Sequence, residues 1–268
     1  MKKTKEKDKI LSNILNWCAI GDSFTYLNDH LEETGFRVEK GYLTRTQEKL
    51  KFPVNIYNLG VNGSSTTDWL DIDLITADFY TVLLGTNDWF SRHTPTGDKL
   101  NYEMKTQGTI LGNLACIIAK IRNYSATAPI FVMNPVERGD FVYIENPANN
   151  AHGSYAPESG QMLSDIANDI YTCVRGENIY TIDLHGRSGF TPENAVHFKR
   201  LRKNGILCDI QYPDYVGVPY NQELDPYPYS NEAIYYTYDG LHPSDYGSQI
   251  IANILADELS QQLQNISK

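Results

Sequence analysis

Five short apolar runs, each followed at a distance by helix-patterned chain, constrain this sequence more than any other feature. They are Trp17–Ile20, Val54–Leu59, Phe79–Leu84, Ile130–Met133 and Asn178–Asp183. Most are continuous apolar blocks or mixtures of aromatic and β-branched residues, the pattern of strands covered on both faces. Ile110, Leu111, Leu114, Ile117, Ile118 and Ile121 recur at helical spacing and make one apolar stripe. Leu163, Ile166, Ala167, Ile170 and Val174 make a second, and Ile251, Ile254, Leu255, Leu259 and Leu263 a third. Alternating strands and amphipathic helices predict an α/β fold, with a parallel sheet and helices on both its faces. Right-handed crossovers leave few topologies, and the flavodoxin-like order 2-1-3-4-5 fits this alternation best. Under that order strands 2, 1 and 3 are neighbours, so the loops after them open onto one crevice.

Those loops carry unusual residues. Gly21-Asp22-Ser23-Phe24 follows the first strand, Asn58-Leu59-Gly60-Val61-Asn62-Gly63 ends the second, and Gly85-Thr86-Asn87-Asp88 follows the third. Asp239-Gly240-Leu241-His242-Pro243 lies far downstream, where Pro243 is placed to start the closing helix. Each motif alone reads as an ordinary turn or helix cap, because Gly, Asn, Asp and Ser favour such positions. Taken together under one topology they read differently. A serine hydroxyl is a weak nucleophile and needs an adjacent base. Ser23 is the candidate nucleophile, His242 the candidate base, and Asp239 the carboxylate that would orient the imidazole. The Gly63 backbone N–H, the Asn87 side-chain amide and the Ser23 backbone N–H are candidate donors to a developing oxyanion.

This set resembles the SGNH, or GDSL-type, hydrolase family of esterases and lipases, with the four blocks spread over most of the chain. The resemblance implies a three-layer α/β/α sandwich and a Ser–His–Asp triad that works without a metal or other cofactor. Phe24 stands where the family's name motif has leucine, and Ser64 stands where several members carry aspartate. The second departure weakens any transfer of thioesterase behaviour. Asp22 and Asp88 match family positions and are expected to brace their loops. Trp89, Phe90 and His185 are candidate substrate-binding residues, because they lie just beyond strands 3 and 5.

Composition narrows the partners. A net charge of −10 argues against nucleic acid or an anionic membrane as the main partner. No stretch approaches the roughly 20 apolar residues that span a bilayer, so membrane insertion is not expected. The basic run Lys2 to Lys9 resembles the head of a signal peptide, but Ser12, Asn13 and Asn16 interrupt the apolar segment that should come next. That predicts a cytoplasmic protein, although a secreted chain already trimmed would read the same. Cys18 and Cys116 fall within apolar stretches and read as reduced core thiols, and the four cysteines have no metal-binding spacing. His30, His93, His152 and His197 show none either, so no zinc site is expected. Gly60 to Ser65 lacks the Lys-Ser/Thr ending of a phosphate loop.

A single domain over 1–268 suits the length and the 41% hydrophobic content. Long insertions are expected at about 135–160 and 186–238, of the kind that forms lids or binding loops. The second is rich in tyrosine, from Tyr212 to Tyr238, and those rings could stack on sugars or simply hold the loop down. The expected activity is hydrolysis of a carboxylic ester through an acyl-enzyme, with a short acyl group such as acetyl on a carbohydrate. A lipase or acylhydrolase, an acyltransferase on the same triad, and a non-catalytic carbohydrate-binding protein are the alternatives. The expected partner is a small-molecule or glycan ester, and nothing in the sequence specifies an oligomeric state.

Overall fold

The computed structural model describes residues 14–263, so the basic run Lys2–Lys9 lies outside the described residues. Five parallel strands make the central sheet: β1 (Leu15–Gly21), β2 (Val54–Asn58), β3 (Phe79–Leu83), β4 (Ile130–Met133) and β5 (Ile179–Ile182). Their spatial order is β2-β1-β3-β4-β5, the flavodoxin-like order expected from the sequence.

Strand side chains alternate between two faces, and each face has its own core. Trp17, Ala19, Phe79, Leu83, Phe131 and Met133 belong to one core, covered by α1 (Tyr42–Lys49) and α4 (Asp245–Leu263). Cys18, Ile20, Tyr80, Val82, Ile130 and Val132 belong to the other, covered by α2 (Ile110–Tyr124) and α3 (Leu163–Cys173). The three apolar stripes of the sequence therefore lie where the sheet needs cover. All six stripe residues of α2 are buried, and each such side chain is worth about 1.5–3 kcal/mol in removal from water. Helix α1 carries no long stripe. Its eight residues bury only Tyr42, Leu43 and Thr46, which is too short a pattern to detect.

Two expectations change in detail. Helix α4 begins at Asp245, because the Ser244 hydroxyl accepts from the Gly247 N–H (3.2 Å) and caps it. Pro243 stays outside and bridges Thr237 instead. Cys116 is only partly buried, whereas Cys18 lies in the core with its thiol pushed up to about 12 by burial.

The two long insertions carry structure of their own. Phe141–Val142 pairs antiparallel with Asn150–Ala151, and Lys199–Lys203 with Ile206–Ile210. Tyr215, Tyr229 and Tyr238 are buried: Tyr215 packs with Leu201 and Ile210 inside the second insertion, Tyr229 joins it to Val142 of the first, and Tyr238 stacks on His242. The first insertion is tied to the last loop by backbone bonds from Gly139 N to Gly240 O (2.9 Å) and from Val142 N to Asp239 O (3.2 Å). No described helix is long and apolar enough to cross a membrane.

Candidate active site

Strand β1 ends at Gly21, where a Cβ would lie 2.0 Å from the Thr25 hydroxyl, so the chain can turn here only on glycine. Asp22 then caps a single helical turn, Ser23–Tyr26, by accepting from the Phe24 N–H (3.1 Å). Ser23 opens that turn and its backbone N–H is left over, as at any helix start. Its hydroxyl lies 2.9 Å from His242 Nε2, although the two residues are 219 positions apart.

Asp239 fixes the imidazole from the other side. Its Oδ1 accepts the backbone N–H groups of Leu241 (3.0 Å) and His242 (2.8 Å). That pins the carboxylate and aims Oδ2 at His242 Nδ1, 2.6 Å away. A carboxylate can only accept here, so Nδ1 carries the proton and Nε2 presents a lone pair to Ser23. Asp239 is fully buried, and the His242 ring is flanked by Phe24, Phe141 and Tyr238 at centroid distances of 6.0, 5.4 and 5.8 Å.

Ser23 and His242 open onto a cavity of about 210 Å³ whose walls also include Asn62, Gly63 and Asn87. Gly63 has φ +71°, a left-handed conformation that glycine adopts without strain. The Asn87 amide donates one N–H to the Ser64 carbonyl (3.0 Å), which holds the side chain in place and leaves its second N–H uncommitted. Among the described residues, neither the Gly63 nor the Ser23 backbone N–H has an acceptor on the backbone. The Ser23 hydroxyl, the His242 imidazole and three uncommitted N–H groups thus border one space.

Residues 19–250 match the GDSL-like lipase/acylhydrolase family. The chain belongs to that family. A crystal structure from Chitinophaga pinensis, described as a possible lipase, is 45% identical with a TM-score of 0.88. The alignment covers 92% of this chain and 98% of that one. A protein from Lactobacillus plantarum superimposes with a TM-score of 0.58 at 18% identity, over 93% of this chain and 98% of the other. A family 3 carbohydrate esterase from Talaromyces cellulolyticus shares the fold at a TM-score of 0.50 and 13% identity, over 94% and 99%. No curated protein sequence matches the chain.

In this GDSL-like chain the other singled-out residues divide. Phe90 lines the cavity, but Trp89 does not. The π-helical turn Asp88–Arg92 points successive side chains in different directions, and Trp89 is buried with its indole N–H on the Gln161 carbonyl (2.9 Å). His185 is also absent from the cavity walls. It is the second residue of a short helix after β5, Leu184–Ser188, where its backbone N–H meets Asn134 Oδ1 (2.9 Å) and its ring approaches Glu137 (3.6 Å). The edge position of β5 carries it away from the crevice between β1, β2 and β3.

Asp22 and Asp88 do loop work. Both oxygens of Asp88 accept from Thr66, one from the N–H (2.9 Å) and one from the hydroxyl (2.6 Å). Burial pushes the Asp88 carboxyl up, against those bonds. Burial likewise pushes Asp22 up to about 7, with the Phe24 N–H and His242 opposing the shift and Asp88 adding to it. Ser64 packs its hydroxyl between Trp69 Nε1 (3.0 Å) and the Gly21 carbonyl (3.3 Å), which ties the second strand's loop to the first.

Sequence reading missed much of the cavity wall. Phe141, Tyr143 and Asn149 reach it from the first insertion, joined by Ser91 and Leu241. The Asn- and Pro-rich composition of 135–160 was the available signal, and it marked the segment without resolving the residues. Among the described residues, His30, Glu32 and Glu33 lie close enough together to share an ion. They share no residue with the cavity walls, and Glu33 already accepts from the Tyr26 hydroxyl (2.7 Å).

Proposed function

We propose that this protein is a serine esterase that cleaves short-chain carboxylic esters through an acyl-enzyme. The observation that carries this reading is the continuous line of hydrogen bonds from Asp239 through His242 to Ser23, ending at a cavity with spare N–H donors. Ser23 Oγ attacks the ester carbon while its proton passes to His242 Nε2. The negative charge that forms on the carbonyl oxygen is held by the Ser23 and Gly63 N–H groups and the Asn87 amide. The bond to the alcohol then breaks, and His242 returns its proton to the departing oxygen. Water repeats the cycle, giving its proton to His242 and releasing the acid as the Ser23 ester breaks.

Cavity chemistry supports a short acyl group on a polar alcohol. Phe90, Phe141, Tyr143 and Leu241 supply apolar and ring surface, and Asn62, Ser91 and Asn149 interleave polar tips. Ring faces beside amides and hydroxyls suit a sugar ring better than an acyl chain, which would want an unbroken apolar wall. We therefore favour an acetylated carbohydrate as substrate.

The test combines labelling and turnover. A fluorophosphonate should form a single adduct at Ser23, and the purified protein should hydrolyse p-nitrophenyl acetate and an acetylated oligosaccharide. Ser23→Ala should abolish both while the thermal midpoint stays within a few degrees of the parent. No adduct and no hydrolysis in the parent would leave a carbohydrate-binding protein that retains the hydrolase fold.

A further inference from the structure

Arg138 is the most anomalous residue in the fold. Its side chain is completely buried, yet Nε and Nη1 have no hydrogen-bond partner and only Nη2 has one, to the His152 carbonyl (2.7 Å). The guanidinium lies over two aromatic faces, Phe90 at 4.7 Å and Trp89 at 5.2 Å from the ring centroids. Its neighbour Asp140 does not neutralise it by direct contact, because that carboxylate is taken by Lys199 (2.9 Å), the Tyr155 hydroxyl (2.7 Å) and the Gly153 N–H (3.0 Å). Buried cations with unfilled donors normally weaken a fold, so a protein that keeps one has some other use for it.

The position suggests the use. Trp89 and Phe90 come directly after Asn87 and Asp88, and Phe90 is a wall of the cavity. Arg138 is also next to Gly139, whose N–H is bonded to the Gly240 carbonyl inside the Asp239–His242 loop. The Arg138 backbone is fixed in turn by Ser154, through bonds to both its N–H (3.0 Å) and its carbonyl. We propose that Arg138 is a positioning residue: it clamps the loop carrying Asn87 to the loop carrying Asp239 and His242, and lends a buried positive charge to the second. This rests on the esterase reading of the site.

The charge has a direction. The titratable groups whose charge acts on buried Arg138 are Asp140, Asp239, Glu158 and Tyr229. Those facing His242 are Asp239, through its hydrogen bond, the stacked Tyr238 ring, and Asp22. A buried positive charge that acts on Asp239 opposes further positive charge on the Asp239–His242 pair, and its removal lifts that opposition. The acid limb of the rate profile should then move to higher pH.

Arg138→Met keeps the length and the aromatic contact and removes the charge. We expect kcat for p-nitrophenyl acetate to fall at least tenfold with KM within twofold, and the acid limb of kcat/KM to shift upward by at least half a pH unit. The thermal midpoint should be unchanged or higher, since an incompletely bonded guanidinium is gone from the interior. Arg138→Lys restores the charge without the planar face, so its acid limb should return toward that of the parent while kcat stays low. A parent-like kcat and acid limb in Arg138→Met would overturn the proposal. So would failure of both variants to fold, which would make Arg138 a structural device. An inactive parent enzyme would instead sink the esterase reading, so the two failures are distinguishable.

Discussion

Asn87→Ala separates an oxyanion donor from a structural amide, because this side chain does two measurable things. One N–H is bonded to the Ser64 carbonyl at 3.0 Å, and the amide borders the cavity beside Ser23. Loss of one donor to a developing oxyanion costs about 3–4 kcal/mol of transition-state stabilisation, a fall in kcat of roughly 10²–10³-fold. Loss of the other bond leaves the carbonyl of buried Ser64 without that partner, at about 1–3 kcal/mol of stability. In a chain of this size that lowers the melting temperature by roughly 2–12 °C. Turnover of p-nitrophenyl acetate, read at a temperature well below the variant's own melting point, reports the first effect free of the second. KM should stay within about threefold, since the ground-state carbonyl carries little charge for the amide to hold. A rise in KM with kcat unchanged would refute the oxyanion role, and full activity with a lowered melting point would reduce Asn87 to a loop brace.

Two further outcomes test the surroundings. Asp22 holds its proton in the folded state up to about pH 7, whereas the unfolded chain releases it near 3.8, so stability from this group declines as pH rises through that window. Asp22→Asn keeps the cap acceptor and should raise the melting temperature at pH 8 relative to the parent, by an amount that vanishes toward pH 4; equal gains at both pH values would contradict a buried neutral carboxyl. Gly240→Ala should be severe, because a Cβ there would sit 1.7 Å from the Asp140 carbonyl at φ +93°. Gly63→Ala meets no atom within 4 Å and bears only its φ strain, about 1–2 kcal/mol; similar melting temperatures for the two variants would show that the clash is relieved by loop movement.

Where the sequence was legible, one physical rule accounted for it. Strands buried on both faces leave continuous apolar runs, so β1, β3 and β4 were found with bounds off by no more than two residues at either end. The convergence of the candidate residues followed from strand order, since the ends of β2, β1 and β3 must be neighbours. Periodicity says nothing about two-residue strands, and so the Phe141–Val142 pairing and its cavity residues went unseen. Trp89 and His185 were misplaced because proximity in sequence to a strand end does not set the direction of a side chain within a turn. Arg138 was invisible for a different reason. A charged residue is expected at the surface, and only the packed rings of Trp89 and Phe90 reveal that it is not.

On the proposed esterase reading, the separation of Ser23 from His242 makes turnover a gauge of assembly. One partner hangs from the first strand and the other from the loop before the final helix, so on that reading neither half of the polypeptide should work alone. A chain cut within the Lys199–Ile210 hairpin should regain activity only as its two fragments reassociate. Substrate colour would then report, in real time, how far the sheet and its covering helices have come back together.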